Sequence, residues 1–208
     1  EAISFEDALK LVRTRAELMQ KAVLGVDGAM AAIIGLSNEE VTAVCQQLAA
    51  EYPDKVLSPA NFNAVSQVVI AGHTFLVEKA ISAFEELGAR MAKLIPVSVP
   101  CHCDLMRPAA EAFTLALAQY DFQQPKCAVV SNVDMSIYQN ADDIRNLLSK
   151  QLYMPVCWTE ILTLFVEKGI DSCIECGPGK VLSGLAKRTV PALQNLFCFE
   201  PQHLPIWE

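Results

Sequence analysis

The sequence lacks the long apolar runs that mark membrane-spanning proteins. A transmembrane helix needs about 18 or more consecutive apolar residues, and no run of uncharged apolar residues reaches that length here. Residues 1–4 (EAIS) also lack the basic and apolar pattern of a secretory leader. These absences predict a soluble, cytoplasmic protein that has no membrane partner.

Positive charge is scarce as well. The sequence contains 16 Lys and Arg against 24 Asp and Glu, which gives a net charge of −8 and an isoelectric point near 4.9. Nucleic-acid binding depends on clustered Lys and Arg that neutralise phosphates, so a general DNA or RNA binder is excluded. With 52% hydrophobic and 19% charged residues among 208, the chain has enough apolar side chains for a substantial core.

The eight cysteines lack the regular spacing of a disulfide framework. Reduced thiols are therefore expected, as in the cytosol. A zinc site could combine Cys101, His102 and Cys103 with Cys173 and Cys176, because thiolates and imidazoles are usual zinc ligands. Cys173 and Cys176 lie in a predicted buried strand whose successive side chains point to opposite faces, so we expect their sulfurs to diverge. A zinc protein is thus the weakest alternative, and no metal or other cofactor is predicted.

Histidine is rare too, and one of the three, His102, occupies an informative place. Pro96 and Pro100 keep the preceding residues out of helices and central strands, and residues 105–119 are predicted to form a helix. His102 therefore lies on a rigid turn between two regular elements, where catalytic side chains are commonly held. From this segment alone, a hydrogen-bonded structural histidine and a catalytic base both remain open.

The first predicted helix carries one charge on its apolar side. Residues 4–7 (SFED) resemble a capping box, and ten apolar residues between Phe5 and Val23 form one continuous arc of the helix. Arg15 is the only charged residue within that arc. Because an unpaired buried guanidinium is costly, three interpretations remain. Arg15 pairs with an internal carboxylate, extends its head group to the rim, or binds a substrate carboxylate through its planar fork.

The remaining pattern predicts an α/β fold in two parts. Residues 28–96 are predicted as β-α-β-β-α-β, the order of a ferredoxin-like unit with two helices on one face of the sheet. Its predicted strands are 28–34, 55–61, 67–71 and 90–95, and its predicted helices are 38–51 and 74–87. Residues 1–27 and 97–208 then form a larger α/β domain around that inserted unit. Its predicted elements are helices 4–23, 105–119, 141–149, 156–168 and 180–188 and strands 127–131 and 171–175.

Residues 175–180 (ECGPGK) follow a predicted strand and open a predicted helix, as phosphate-binding loops do. A Walker loop needs Gly at position 174 and Ser or Thr at position 181, where Ile174 and Val181 stand. A dinucleotide-binding loop needs Gly at position 182, where Leu182 stands. The segment is therefore predicted to be a tight strand-to-helix turn.

Five motifs, in this order and spacing, resemble those of malonyl-CoA:acyl carrier protein transacylase, an enzyme family of bacterial fatty acid synthesis. The motifs are residues 28–35 (GAMAAIIG), 67–72 (QVVIAG), 96–102 (PVSVPCH), 151–153 (QLY) and 175–180 (ECGPGK). The resemblance covers roughly residues 1–190 and implies an α/β-hydrolase-like large domain with a ferredoxin-like insertion. It also implies transfer of malonyl from malonyl-CoA to the phosphopantetheine thiol of acyl carrier protein, through a malonyl-serine intermediate.

The resemblance further implies roles for individual residues. His102 matches the general base, and Arg15 matches the arginine that pairs with the malonyl carboxylate. Gln151 matches the position whose backbone carbonyl orients the catalytic histidine in place of a triad acid. Met19 and Met30 match pocket-lining positions.

Carrier proteins of this pathway are acidic, so the surface that docks them must be locally basic. Lys180, Lys187 and Arg188 on one predicted helix are the candidates for that surface. An ordinary solvated helix face with cations near its C-terminal end is the alternative. Residues 197–208 do not match the family pattern and have no predicted role.

One part of the family pattern is absent. The family's nucleophilic serine lies in a G-H-S-L-G elbow upstream of the first helix, and its oxyanion-hole glutamine lies further upstream. No Gly-x-Ser-x-Gly sequence occurs in this chain. We therefore expect the chain to correspond to roughly the C-terminal two-thirds of the enzyme and to have no transacylase activity alone. The alternative is a non-catalytic remnant that binds acyl groups or carrier protein and has lost the nucleophile.

Overall fold

The computed structural model describes residues 1–198, which form a mixed α/β structure. The α-helices are α1 (Phe5–Ala22), α2 (Asn38–Glu51), α3 (Thr74–Glu86), α4 (Arg107–Leu117), α5 (Ala141–Lys150), α6 (Trp158–Glu167) and α7 (Val181–Thr189). The strands are β1 (Gly28–Ile34), β2 (Leu57–Ala64), β3 (Gln67–His73), β4 (Met91–Ile95), β5 (Ser172–Cys176) and β6 (Gln194–Cys198). None of the helices described is both long and apolar enough to cross a bilayer.

Strands β1 to β4 form one antiparallel sheet in the order β2-β3-β1-β4. The apolar sides of α2 and α3 pack against this sheet. Ile33 and Ile70 from the strands meet Leu76 and Phe84 from α3 in the buried core between them. The element order predicted for residues 28–96 is therefore the observed one, and we call these residues the four-stranded unit.

Local signals explain the bounds of two elements in the four-stranded unit. The Ser37 hydroxyl accepts a hydrogen bond from the Glu40 backbone N–H, and the Glu40 carboxylate accepts one from the Ser37 backbone N–H. This complete capping box starts α2 where it was predicted. Strand β2 begins two residues later and ends three residues later than the predicted strand 55–61. It extends past Pro59 because the pairing with β3 is irregular beside Pro59 and Phe62.

Helices α1, α4 and α5 form a second layer, in which α4 packs between the other two. Leu11 and Met19 of α1 are buried there, as the apolar arc predicts. The predicted burial of the whole arc is wrong, however, because Phe5, Leu9 and Val12 are 76%, 54% and 64% exposed. These three residues are spaced four and three positions apart, so they share one side of α1. Helix α4 contacts the other side.

Two predictions for residues 97–140 are corrected by the structure. No strand forms at 127–131, where Val130 makes only an isolated bridge to Ile137. The Ser131 N–H instead donates to the Ser136 carbonyl at 2.8 Å and closes a loop, and no neighbouring strand of the described residues pairs with this apolar run. The helix predicted for 105–119 is divided into a 3-10 turn, Asp104–Met106, and α4, because Pro108 is tolerated only in the first helical turn.

Near the C-terminus of the described part, β5 and β6 form a parallel pair beside α7. Strand β6 was not predicted. Strand β5 was predicted to be buried, and this is wrong because both of its end residues are exposed and β6 is its one strand neighbour within residues 1–198. Residues 199–208, which end the predicted large domain, lie outside the described residues.

Candidate functional site

His102 lies on the loop between β4 and the 3-10 turn, in a conformation that few residues adopt. Its φ angle is 61°, in the left-handed region that costs a non-glycine residue about 1 to 2 kcal/mol. Two hydrogen bonds hold it there. The His102 backbone N–H donates to the Leu152 carbonyl at 2.9 Å, and the ring atom Nδ1 lies 2.8 Å from the Gln151 carbonyl oxygen. Both carbonyls belong to the turn that follows α5.

The bond to Gln151 determines which ring nitrogen of His102 carries the proton. A carbonyl oxygen can only accept a hydrogen bond, so Nδ1 carries the proton and Nε2 keeps its lone pair. Burial lowers the pKa of the His102 imidazole below its ordinary value. The backbone groups of Gln151 and, more weakly, Met154 act in the opposite direction, and the charge of Arg15 lowers the pKa further. The ring is therefore neutral near pH 7, and Nε2 can act as a general base.

Arg15 extends from α1 toward the same turn. Its Nη2 atom donates to the side-chain Oε1 of Gln151 at 2.6 Å. The guanidinium is partly buried, and burial lowers the pKa of Arg15 from its ordinary value. No carboxylate within residues 1–198 lies at ion-pair distance from Arg15, so a structural ion pair does not explain it there. Neighbouring Arg13, in contrast, pairs with Glu17 on the exposed side of α1.

Gln151 connects Arg15 with His102. Its backbone carbonyl accepts a hydrogen bond from the His102 ring, and its side-chain oxygen accepts one from the Arg15 guanidinium. The sequence interpretation considered only the backbone group of Gln151 and missed its side-chain contact. No local signal could reveal that contact, because 136 positions separate Gln151 from Arg15 and helical periodicity relates only near neighbours.

Cys101 is a second residue of the site whose position the sequence interpretation missed. It packs against both buried clusters that contain Met19 and Met30, as Leu105 also does. Burial raises the pKa of the Cys101 thiol, although the charge of Arg15 acts in the opposite direction. Met19 and Met30 are themselves buried, each in one of the two clusters that Cys101 contacts, and their role in lining a pocket stays a prediction.

The three cations predicted for carrier-protein docking do not form one cluster. Lys187 and Arg188 are exposed in the last turn of α7. Lys180 is the N-cap of the same helix, about 10 Å away along the axis, and its Nζ atom lies 3.6 Å from the centroid of the Phe197 ring. The structure therefore groups Lys187 with Arg188 and separates Lys180 from them.

The loop before α7 has a structural explanation that excludes phosphate binding at this helix start. The Glu175 carboxylate accepts hydrogen bonds from the backbone N–H groups of Leu182 and Ser183, at 3.1 and 2.8 Å, and from the Ser183 hydroxyl at 2.7 Å. A carboxylate of the chain thus occupies the position that an anion would take. No group of three or more potential metal ligands occurs in the part of the chain that the structure describes.

Comparisons with known proteins identify the family of the chain. The model of the acyl transferase domain family matches residues 1–196. The malonyl CoA-acyl carrier protein transacylase of Escherichia coli (strain K12) is 47% identical over 96% of the chain, and that of Staphylococcus aureus (strain MRSA252) is 37% identical over 90%. The chain spans 63% and 60% of the lengths of these two relatives.

Solved structures show the same likeness. An acyl carrier protein S-malonyltransferase from Vibrio cholerae superposes with a TM-score of 0.93 at 43% identity, covering 97% of this chain and 65% of its own. A malonyl-transacylase in complex with its type II PKS acyl-carrier protein also gives a TM-score of 0.93 at 43% identity, over 97% of this chain and 64% of its own. The chain therefore belongs to the acyl transferase domain family.

Proposed function

We propose that the protein containing this chain transfers malonyl from malonyl-CoA to the phosphopantetheine thiol of acyl carrier protein. The observation that carries this proposal is the contact network of Arg15, Gln151 and His102. It combines a cation that has no carboxylate partner among residues 1–198 with a neutral imidazole fixed in one tautomer. The printed names of the relatives support malonyl-CoA and acyl carrier protein as partners. We further propose a cytoplasmic location, with no membrane or nucleic-acid partner.

The nucleophile in this proposal is a serine upstream of the 208 residues. His102 Nε2 takes the proton of the serine hydroxyl while the serine oxygen attacks the thioester carbonyl of malonyl-CoA. The carbon–sulfur bond then breaks, and the imidazolium returns the proton to the departing coenzyme A sulfur. In the second half of the reaction, His102 Nε2 takes the proton of the phosphopantetheine thiol, and the thiol sulfur attacks the carbonyl of the malonyl-serine ester. The serine oxygen leaves and regains its proton.

Arg15 selects the acyl group in this scheme. A malonyl carboxylate offers two oxygens to the guanidinium fork, whereas an acetyl group leaves the partly buried cation unpaired. The Gln151 side chain holds the guanidinium from one side, so the remaining N–H groups are oriented for the substrate. The same residue holds His102, which links acyl selection to the position of the base.

The proposed architecture is an α/β-hydrolase-like large domain with a ferredoxin-like subdomain inserted. Residues 28–96 form the subdomain, and residues 1–27 and 97–208 belong to the large domain. The sheet order of the four-stranded unit and its two helices on one face support the subdomain assignment. The exposed side of α1 and the short β5-β6 sheet are consistent with a large domain whose remaining elements come from the longer protein.

Lys187 and Arg188 form the proposed contact for acyl carrier protein, with Lys180 as a separate, weaker candidate. Both side chains are exposed at the end of α7, and acidic partners are attracted by a locally basic surface even on an acidic protein. A malonyl-transacylase of the same fold has been solved with its acyl-carrier protein, which supports a protein partner of this kind.

The acyl-selection proposal is tested by Arg15→Ala in the longer protein. Loss of a charge-assisted pair corresponds to about 1.5 to 3 kcal/mol, so the preference for malonyl over acetyl should fall by about 10- to 100-fold. Arg13→Ala is the matched control, because Arg13 pairs with Glu17 on the exposed side of the same helix. An unchanged malonyl preference in Arg15→Ala would contradict the assignment.

The external serine is tested by comparing the purified 208-residue chain with the longer protein. We expect the chain alone to release no coenzyme A from malonyl-CoA, and the longer protein to do so. Turnover by the chain alone would contradict a nucleophile outside it. A longer protein that is also inactive, yet binds acyl carrier protein, would favour the non-catalytic alternative.

A further inference from the structure

Asp104, Arg107 and Tyr153 form a small cluster beside His102 that we call the Arg107 clamp. The Arg107 guanidinium carbon lies 4.3 Å from the centroid of the Tyr153 ring, within cation–π distance. Its Nε atom lies 2.8 Å from Oδ1 of Asp104. The carboxylate therefore holds the guanidinium on the ring face of Tyr153.

The clamp joins the same two chain segments that meet at His102. Asp104 follows His102 by two residues, and Tyr153 follows Gln151 by two residues. Between these pairs run the two bonds already described, from the His102 N–H to the Leu152 carbonyl and from the ring to the Gln151 carbonyl. The clamp thus adds a third connection, made by side chains, between the His102 loop and the turn of residues 151–153.

His102 requires such additional support because of its backbone conformation. A non-glycine residue with a φ of 61° persists only where the surroundings over-determine it. The Gln151 carbonyl is held by a short turn after α5, and movement of that turn would carry the acceptor away from Nδ1. Without that acceptor, the proton is free to occupy either ring nitrogen.

We infer that Asp104, Arg107 and Tyr153 are positioning residues that hold the turn of residues 151–153 against the His102 loop and thereby keep the imidazole proton on Nδ1. The inference concerns the geometry of His102, and its consequence for turnover rests on the proposed function. A cation–π contact at a partly exposed site shifts a local equilibrium by about two- to fivefold. The Nε2–H tautomer of His102 should gain population by that factor when the clamp is removed.

The chain offers a matched cluster away from His102. Arg145 pairs with Asp142 at 3.1 Å and lies 5.5 Å from the centroid of the Phe122 ring. It also donates to the Tyr120 carbonyl. This cluster also combines an arginine, an aspartate and an aromatic ring. Asp142 and Arg145 line the same surface depression as Arg107 and Tyr153, but no hydrogen bond or ion pair within residues 1–198 joins them to His102 or Gln151, so the cluster separates a positioning effect from a general loss of packing.

The test measures the tautomer ratio of His102 by 15N NMR of histidine-labelled chain, with its signals assigned through His102→Asn. Tyr153→Leu should raise the Nε2–H fraction about two- to fivefold, whereas Tyr153→Phe, which keeps the ring face, should restore the wild-type ratio. Arg145→Ala should lower thermal stability and leave the ratio unchanged. Arg107→Gln removes the cation and serves as the second variant if Tyr153→Leu does not fold.

An unchanged ratio in both Tyr153→Leu and Arg107→Gln would overturn the inference, as would an equal change in Arg145→Ala. In the longer protein, kcat should fall in proportion to the fraction of His102 that keeps its proton on Nδ1, while KM for malonyl-CoA stays constant. A changed tautomer ratio with unchanged kcat would support the clamp and count against His102 as the base, so the two proposals fail separately.

Discussion

The four-stranded unit and the helical layer around α1 differ in how completely they cover their own apolar side chains. Phe84 and Leu76 are fully buried between the sheet and the helices of the four-stranded unit. Phe5 and Leu9 remain mostly exposed on α1, although they belong to an equally regular apolar pattern. An apolar pattern therefore indicates which side of a helix requires a packing partner. Only the packing within residues 1–198 shows whether another element covers that side.

The candidate site lies on the less completely covered region. His102 is on a loop, Gln151 is on a turn after α5, and Arg15 is on α1. The four-stranded unit contributes Met30, which is buried in a cluster that Cys101 contacts. The chemistry is thus carried by segments of the helical layer, while the closed core of the four-stranded unit provides a rigid support beside it.

Truncation of an aromatic side chain should show the largest difference in stability between the four-stranded unit and α1. Phe84→Ala should lower the free energy of unfolding by about 3 to 5 kcal/mol, because it leaves a cavity in a closed core. Phe5→Ala should change it by less than about 0.5 kcal/mol, since the ring is already exposed. Urea denaturation of both variants measures the difference. Equal losses would show that α1 is covered in solution.

Two glycine substitutions provide a smaller test in which the sign of the effect differs. A Cβ atom at Gly72 in β3 would lie 2.1 Å from the Val56 carbonyl oxygen, so Gly72→Ala should destabilise the four-stranded unit by about 1 to 3 kcal/mol. A Cβ atom at Gly184 in α7 meets nothing within 4 Å. Gly184→Ala should therefore stabilise the chain by about 0.5 to 1 kcal/mol, since alanine favours the helix. Thermal unfolding measures the stability change of both variants. Changes of the same sign would contradict the expected difference between the crowded site at Gly72 and the open site at Gly184.

The four-stranded unit was more predictable than the rest because local signals determine it. The capping box at Ser37 and the continuous apolar runs of β1 and β3 are contained within short windows. Residues 127–131 carry a similar apolar signal but find no strand to pair with in the described structure. Strand pairing depends on the neighbour as well as on the strand, so sequence periodicity alone did not distinguish these cases.

The site was predictable one residue at a time but not as a network. Arg15 stood out as the single charge on an apolar arc, and His102 stood out on a turn that follows two prolines. Their connection runs through the Gln151 side chain, across 136 positions of sequence. Such a contact follows from the packing of both α1 and α5 on α4, and no pattern within either helix contains it.

Acid distinguishes the two regions by the pH at which each loses stability. In the four-stranded unit, the hydrogen bond from the Ser37 backbone lowers the pKa of Glu40 below its ordinary value. A carboxylate with a lowered pKa stabilises the folded state above its ordinary pKa of about 4.3. That contribution is lost only as the pH falls through the lower, folded value.

His102 should affect stability at a higher pH than Glu40. Burial lowers the pKa of folded His102 below its ordinary value, which is about 6.5. As the pH falls below about 6.5, the unfolded chain therefore binds a proton that the folded chain binds less readily. Stability should decrease over this window by at most about 1.4 kcal/mol per pH unit, and the slope should be smaller in His102→Asn. Urea unfolding between pH 7 and pH 5 compares the two slopes. Glu40→Gln should leave this slope unchanged. A slope that changed in Glu40→Gln but not in His102→Asn would contradict the expectation that His102 affects stability at the higher pH.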